Sequence, residues 1–224
     1  MNTATQIWTI IRKDVLVELR SKDIIISMLV FGLIVLAVFN FVFEPGSSAL
    51  RQTVPGILWV AILFAGNLGL HRSSVREFEN AMIQGVLLCP IDRSYIYIAK
   101  VTSNVIFMIG MEIIILPVMV VFFDLTVSDL LPFLGVLFLG TLGFAGVGSL
   151  FSTMSAQTKS REIMLPVLLF PICVPIILAA TKSTAVLLDS QNTQDIGMWI
   201  RLLIGFDAIF LVVCFLLFDY VLEE

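Results

Sequence analysis

Apolar residues fall along this chain in long unbroken runs, and six of those runs are long enough to cross a bilayer as helix. They cover Ile24–Phe43, Val54–Leu70, Val101–Phe123, Leu130–Phe151, Ile163–Thr181 and Met198–Val221. A hydrocarbon core of about 30 Å takes roughly 20 apolar residues in helical form. Barrel strands would alternate apolar and polar positions, and these runs do not. The pattern predicts an all-α integral membrane protein with six transmembrane helices. A different rhythm precedes them. Between Thr5 and Lys22, Ile7, Ile11, Val15 and Leu19 recur every four residues beside Trp8, while Arg12, Lys13, Asp14 and Glu18 interrupt them. That predicts an amphipathic helix in the membrane interface with Trp8 at headgroup level. A plain charged lead-in is the other reading. The expected organisation is an interfacial helix over residues 1–23, a six-helix membrane domain over 24–221 with a long polar connection at 71–100, and a tail at 222–224.

Composition agrees. The chain is 59% hydrophobic and 13% charged, against about 45–50% and 25% in soluble domains. A water-soluble enzyme of this size, a disordered tail and a disulfide-stapled secreted domain are all excluded. The first 23 residues lack the pattern of a cleavable signal peptide. Net charge is −4, and no basic tract suits nucleic acid. Cys89, Cys173 and Cys214 are far apart and form no CxxC pair, so they read as isolated thiols.

Basic residues orient the spans. Arg12, Lys13, Arg20, Lys22, Arg72, Arg76, Arg93, Lys100, Lys159 and Arg161 lie in segments that share one side. Arg51, Lys182 and Arg201 lie on the other. Ten against three places the first group, and both termini, in the cytoplasm.

The 71–100 connection is then cytoplasmic. Glu77 to Leu88 reads as a short helix, with acids in its first turn, where the dipole favours them, and Pro90 ending it. Glu77 and Glu79 flank Phe78, and Phe78, Met82 and Ile83 can share an apolar face. Such an element suits docking into a groove of a cytoplasmic partner; a solvated loop packed on its own helix ends is the plainer reading.

Polar groups inside the spans are the next candidates. Glu112 and Asp207 each sit midway along a run. A charge at that depth costs about 2.5–3.5 kcal/mol on insertion scales, so each should face protein or water. They could line a path, close a hydrogen bond or pair with a neighbouring subunit. Asn67 and Asn104 are in-chain candidates for partners. The fourth run carries Gly135, Gly140, Gly143, Ala145, Gly146 and Gly148, a spacing that favours close helix packing over a channel. Pro166, Pro171 and Pro175 in the fifth run predict a kinked or locally broken helix, serving as a hinge or only bending around a neighbour. The apolar Ala185–Leu188 patch beyond that run reads as a dip into the outer interface.

Chemistry-bearing motifs are absent from the sequence. There is no GxxxxGK[ST] phosphate loop, no HExxH, no GxSxG and no CxxCH. His71, the one histidine, falls at the cytoplasmic end of the second run and reads as an interfacial residue rather than a haem ligand. The chain therefore reads as one subunit of a larger assembly and not as an enzyme.

Three stretches carry a family resemblance: VPGILWVAILFAGNLGLHRS at Val54–Ser73, EFENAMIQGVLLCPIDRSYIYIAK at Glu77–Lys100, and MLPVLLFPICVPIILAATK at Met164–Lys182. Their order and the six-span layout resemble the haem exporter protein B (CcmB) family, the permease-like subunit of the ABC complex of cytochrome c maturation. The resemblance implies a type-2 ABC exporter-like permease in the bacterial inner membrane. Its implied partners are a cytoplasmic ABC ATPase subunit, a haem-handling membrane subunit, a small membrane subunit and a periplasmic haem chaperone, and a homodimer is compatible with it. No cofactor is then bound by this chain itself; ATP belongs to the partner, and haem to the complex. The Glu77–Leu88 element would be the coupling helix. The competing readings are a type-2 ABC exporter permease for a drug, lipid or polysaccharide, and a non-transporting membrane scaffold.

Overall fold

The computed structural model describes residues 3–44, 47–79, 92–125, 129–156, 158, 161–188 and 196–221. Among these are seven helices and no strand: α1 (Thr3–Ser21), α2 (Asp23–Val42), α3 (Ser48–Glu79), α4 (Arg93–Phe123), α5 (Leu130–Ala156), α6 (Arg161–Leu188) and α7 (Ile196–Val221). All but α1 are long and apolar enough to cross a membrane, and the protein is a multi-pass membrane protein. α5 lies at the centre, packed on α3, α4, α6 and α7; α3 also touches α2, α4 and α6. α1 lies across α4 and meets the start of α2.

The outward faces are made for lipid. In α2, Ile26, Val30, Ile34 and Val38 are exposed, while Ile24, Met28, Gly32 and Leu36 are buried on the opposite face. α7 buries only a narrow line that includes Leu203, Asp207, Cys214 and Phe218. Lipid solvates the rest as readily as a protein neighbour would, so one inward stripe is enough.

The close packing expected of α5 is present. A Cβ on Gly140 would overlap the Trp59 ring, one on Gly143 would overlap Asp207, and one on Gly148 would overlap Leu70. Ala145 is fully buried. Gly135 differs, because open space surrounds it.

Several expected boundaries shift. α3 runs nine residues past Leu70, to Glu79. Its extension, HRSSVREFE, holds neither glycine nor proline, so the helix continues after hydropathy falls. Glu77, Phe78 and Glu79 are consequently the last residues of α3 and not the first turn of a separate helix. α6 bears on one part of the proline reading, the local break. It stays helical through Pro166, Pro171 and Pro175 with no break, and it takes in Ala185–Leu188 as its last residues.

Candidate functional site

Polar side chains converge where α1, α3 and α4 meet. α1 turns Ile10 and Ile11 inward with Asp14 and Glu18 on the same side; Trp8, Leu16 and Leu19 face outward. Leu19 and Glu18 thus occupy the reverse of the faces that the four-residue rhythm predicts. Glu18 is buried, with 1% of its side chain exposed. Its Oε1 accepts the backbone N–H groups of Ile24 (2.9 Å) and Ile25 (3.0 Å), the free donors at the start of α2. Between the two helices, Lys22 adopts a left-handed conformation at φ 59° and offers no side-chain cap. The carboxylate of Glu18 performs that function from the preceding helix.

Arg76 of α3 completes the joint. Its Nη1 donates to Glu18 Oε2 at 3.2 Å and to Ser21 Oγ at 3.0 Å, and its Nη2 donates to the Val17 carbonyl at 3.4 Å. A guanidinium fork at the C-terminal end of α1 also complements that helix's dipole. The next residue, Glu77, pairs with Lys100 of α4. Ser103 Oγ of α4 donates to Asp14 Oδ2 of α1 at 3.2 Å, and Lys13 lies 2.9 Å from Asp14 Oδ1. The contacts close a ring: α3 to α1 through Arg76–Glu18, α1 to α4 through Asp14–Ser103, α4 to α3 through Lys100–Glu77. A small open cleft of about 30 Å³ lies beside it, lined by Lys13, Glu18, Arg76 and Phe107 among others. Burial raises the Asp14 carboxyl above its ordinary value; Glu77 adds to this, and Lys13 and Lys100 oppose it.

A second set of polar pairs descends between α4 and α5. Asn104 Nδ2 donates to Ser149 Oγ at 2.9 Å, and Thr141 Oγ1 donates to the Glu112 carboxylate. The separation from Asn104 to Glu112 along α4 equals that from Ser149 back to Thr141, as antiparallel helices require. Ser74 of α3 joins this layer through Ser152, Oγ to Oγ at 2.8 Å.

The expected site residues therefore part company. Glu77 faces inward to Lys100, so its acid is occupied inside the bundle. Phe78 is 38% exposed at the end of α3. Glu79 closes α3; Met82, Ile83 and Cys89 lie outside the described residues. Glu112 is bonded to Thr141 rather than to either asparagine. Asp207 is buried against Gly143, and neither of its carboxylate oxygens has a hydrogen-bond partner among the described residues. The expected Asn67 and Asn104 partnerships are absent: Asn104 is taken by Ser149, and Asn67 Oδ1 has no partner among the described residues. Cys173 and Cys214 are buried free thiols. His71 is half-buried in α3.

Sequence reasoning missed Glu18, Arg76, Lys100, Thr141 and Ser149 as partners. Thr141 and Ser149 stand among the glycines of the fourth run, and their hydroxyls, facing an intramembrane acid and amide, are the overlooked signal.

Comparison with known proteins gives one consistent result. The model of the CcmB protein family matches residues 5–222. The chain is 28% identical over 179 residues to Heme exporter protein B of Escherichia coli (strain K12), covering 79% of this chain and 80% of that protein. It is 25% identical over 173 residues to Heme exporter protein B of Pseudomonas aeruginosa, covering 77% of each. With the protein of the same name from Rhodobacter capsulatus it shares 27% identity over 148 residues, covering 66% of this chain and 67% of that protein.

Proposed function

Because the chain belongs to the CcmB protein family, we propose that it is the membrane permease subunit of an ABC-type haem export complex serving cytochrome c maturation. It lies in the bacterial inner membrane with both termini in the cytoplasm. The family match over residues 5–222 carries this reading, and the relatives named Heme exporter protein B supply the cargo. The basic excess on the α1 side supports the orientation.

The chain's own part is mechanical. It carries no phosphate-binding loop, so ATP is bound and hydrolysed by a cytoplasmic partner subunit. That partner docks at the connection that follows α3, with Phe78, Met82 and Ile83 as apolar teeth. Its nucleotide cycle moves the ends of α3 and α4, and the glycine contacts of α5 let neighbouring helices shift at close range. A haem-handling membrane subunit and a small membrane subunit complete the assembly, and the output is haem delivery or release of a haem-loaded periplasmic chaperone. Haem is cargo of the complex; this chain holds no cofactor of its own.

The test is co-purification. The double substitution Phe78→Asp with Met82→Asp should abolish recovery of the ATPase subunit with the tagged chain. Undiminished recovery would contradict docking at this connection.

A further inference from the structure

Arg76 and Glu77 are consecutive, and consecutive helical side chains point about 100° apart. They therefore reach different neighbours from one place at the end of α3. Arg76 reaches the end of α1 and, through Glu18, the start of α2. Glu77 reaches α4 through Lys100. We propose that Arg76 and Glu77 are positioning residues that divide a displacement of the α3 end into two outputs, one to the α1–α2 elbow and one to α4. This rests on the permease reading above, which supplies the displacement.

The geometry favours transmission over mere attachment. The elbow is bonded to α3 by a planar fork with three acceptors in α1, which resists sliding and rotation together. The same carboxylate that receives the fork caps α2, so α1 cannot be pulled by Arg76 without moving the first turn of α2. Lys22, with its left-handed backbone and no side-chain cap, makes the elbow a bend that contacts from outside must hold. Asp14–Ser103 closes the ring between the two outputs through one hydrogen bond of 3.2 Å, so α1 and α4 stay in contact while the distance between their outer faces can change.

The experiment places spin labels at two exposed positions, Leu16 of α1 and Ile98 of α4, in the assembled complex in nanodiscs, with Cys89, Cys173 and Cys214 replaced by alanine. The label distance is measured with and without a non-hydrolysable ATP analogue, alongside ATPase recovery and hydrolysis. The wild-type complex should show a nucleotide-dependent shift. Arg76→Gln should lose that shift while still recovering an active ATPase, and Arg76→Lys should restore part of it. Glu77→Lys should lose it too, and adding Lys100→Glu should bring it back. Full ATPase recovery and hydrolysis in the single variants separates lost transmission from a lost structural contact, and rescue by charge exchange assigns the loss to this pair. Arg76→Gln and Glu77→Lys complexes that shift as the wild type does would overturn the inference and leave the permease reading standing. A wild-type chain that recovers no ATPase would overturn both.

Discussion

Arg76 and Glu18 meet across 58 positions of sequence, Nη1 to Oε2 at 3.2 Å, and through that contact the end of α3 holds both α1 and the first turn of α2. The pair is largely shielded, since 25% of the arginine side chain and 1% of the glutamate side chain are exposed. Its consequences for stability differ from those of a surface pair.

Removing one partner should be costly. Glu18→Ala takes away the α2 cap and leaves Arg76 without its carboxylate. Breaking a buried pair costs about 3–5 kcal/mol, and losing a helix cap costs about 1 kcal/mol. Because Arg76 keeps some solvent contact, the expected loss is near the lower figure. Glu18→Gln keeps an acceptor for Ile24 and Ile25 and should cost less. Thermal unfolding in detergent distinguishes the two; equal losses would contradict the capping role.

The intramembrane pair predicts a coupling rather than a sum. Thr141→Val leaves the Glu112 carboxyl buried without its hydroxyl partner, at a cost of about 1–3 kcal/mol. Glu112→Gln retains an acceptor and should be milder. In a double-mutant cycle of Glu112→Leu with Thr141→Val, the double variant should lose less than the two singles together, by about 0.6–1.7 kcal/mol. Strict additivity would mean the two groups do not interact.

Glycines of α5 should separate by position. Gly140→Ala drives a methyl group into the Trp59 ring, whose Nε1 is fixed by donation to Thr184 Oγ1 at 3.0 Å. Overpacking of this kind costs about 1–3 kcal/mol. Gly135→Ala meets open space and should be neutral or slightly stabilising. The unfolding midpoints of the two variants decide, and a similar loss at both would contradict the packing account.

Asp14 predicts a pH dependence at the α1–α4 contact. Its folded-state value is raised, by burial first and by Glu77 second. A raised carboxyl favours the neutral form in the folded protein. The stability it contributes is therefore full below its unfolded value of about 3.9 and lost as pH rises through the folded value. Asp14→Asn, which stays neutral, should flatten that decline in the unfolding midpoint. Lys13, Lys100 and Ser103 also face this group, so the comparison is made at fixed ionic strength. Parallel pH profiles for wild type and variant would contradict the assignment.

The spans were legible because lipid leaves a chain few options: each long apolar run had to be a helix, and each is one. Helix ends were less legible, since hydropathy marks where lipid ends and not where hydrogen bonding stops. α3 passes that boundary because His71 to Glu79 contains no residue that stops a helix, and Glu77 is thereby brought opposite Lys100. The ring itself was hidden. Asp14 and Glu18 look like charges that interrupt an apolar stripe, and only the approach of α3 and α4 turns them into the buried side of α1. Thr141 illustrates the same limit, because its partner is set by the antiparallel register of two helices and not by local spacing. The prolines of α6 left a kink and a break equally open to the sequence, and the helix runs through all three without a break.

The central claim is that this chain passes a partner's ATP cycle across the membrane for haem delivery. Haem staining of c-type cytochromes in a deletion strain, with and without the chain restored, tests it most directly. The account predicts that the cytochromes disappear while haem-loaded periplasmic chaperone accumulates, and that restoring the chain reverses both. Unchanged cytochromes in the deletion strain would contradict it.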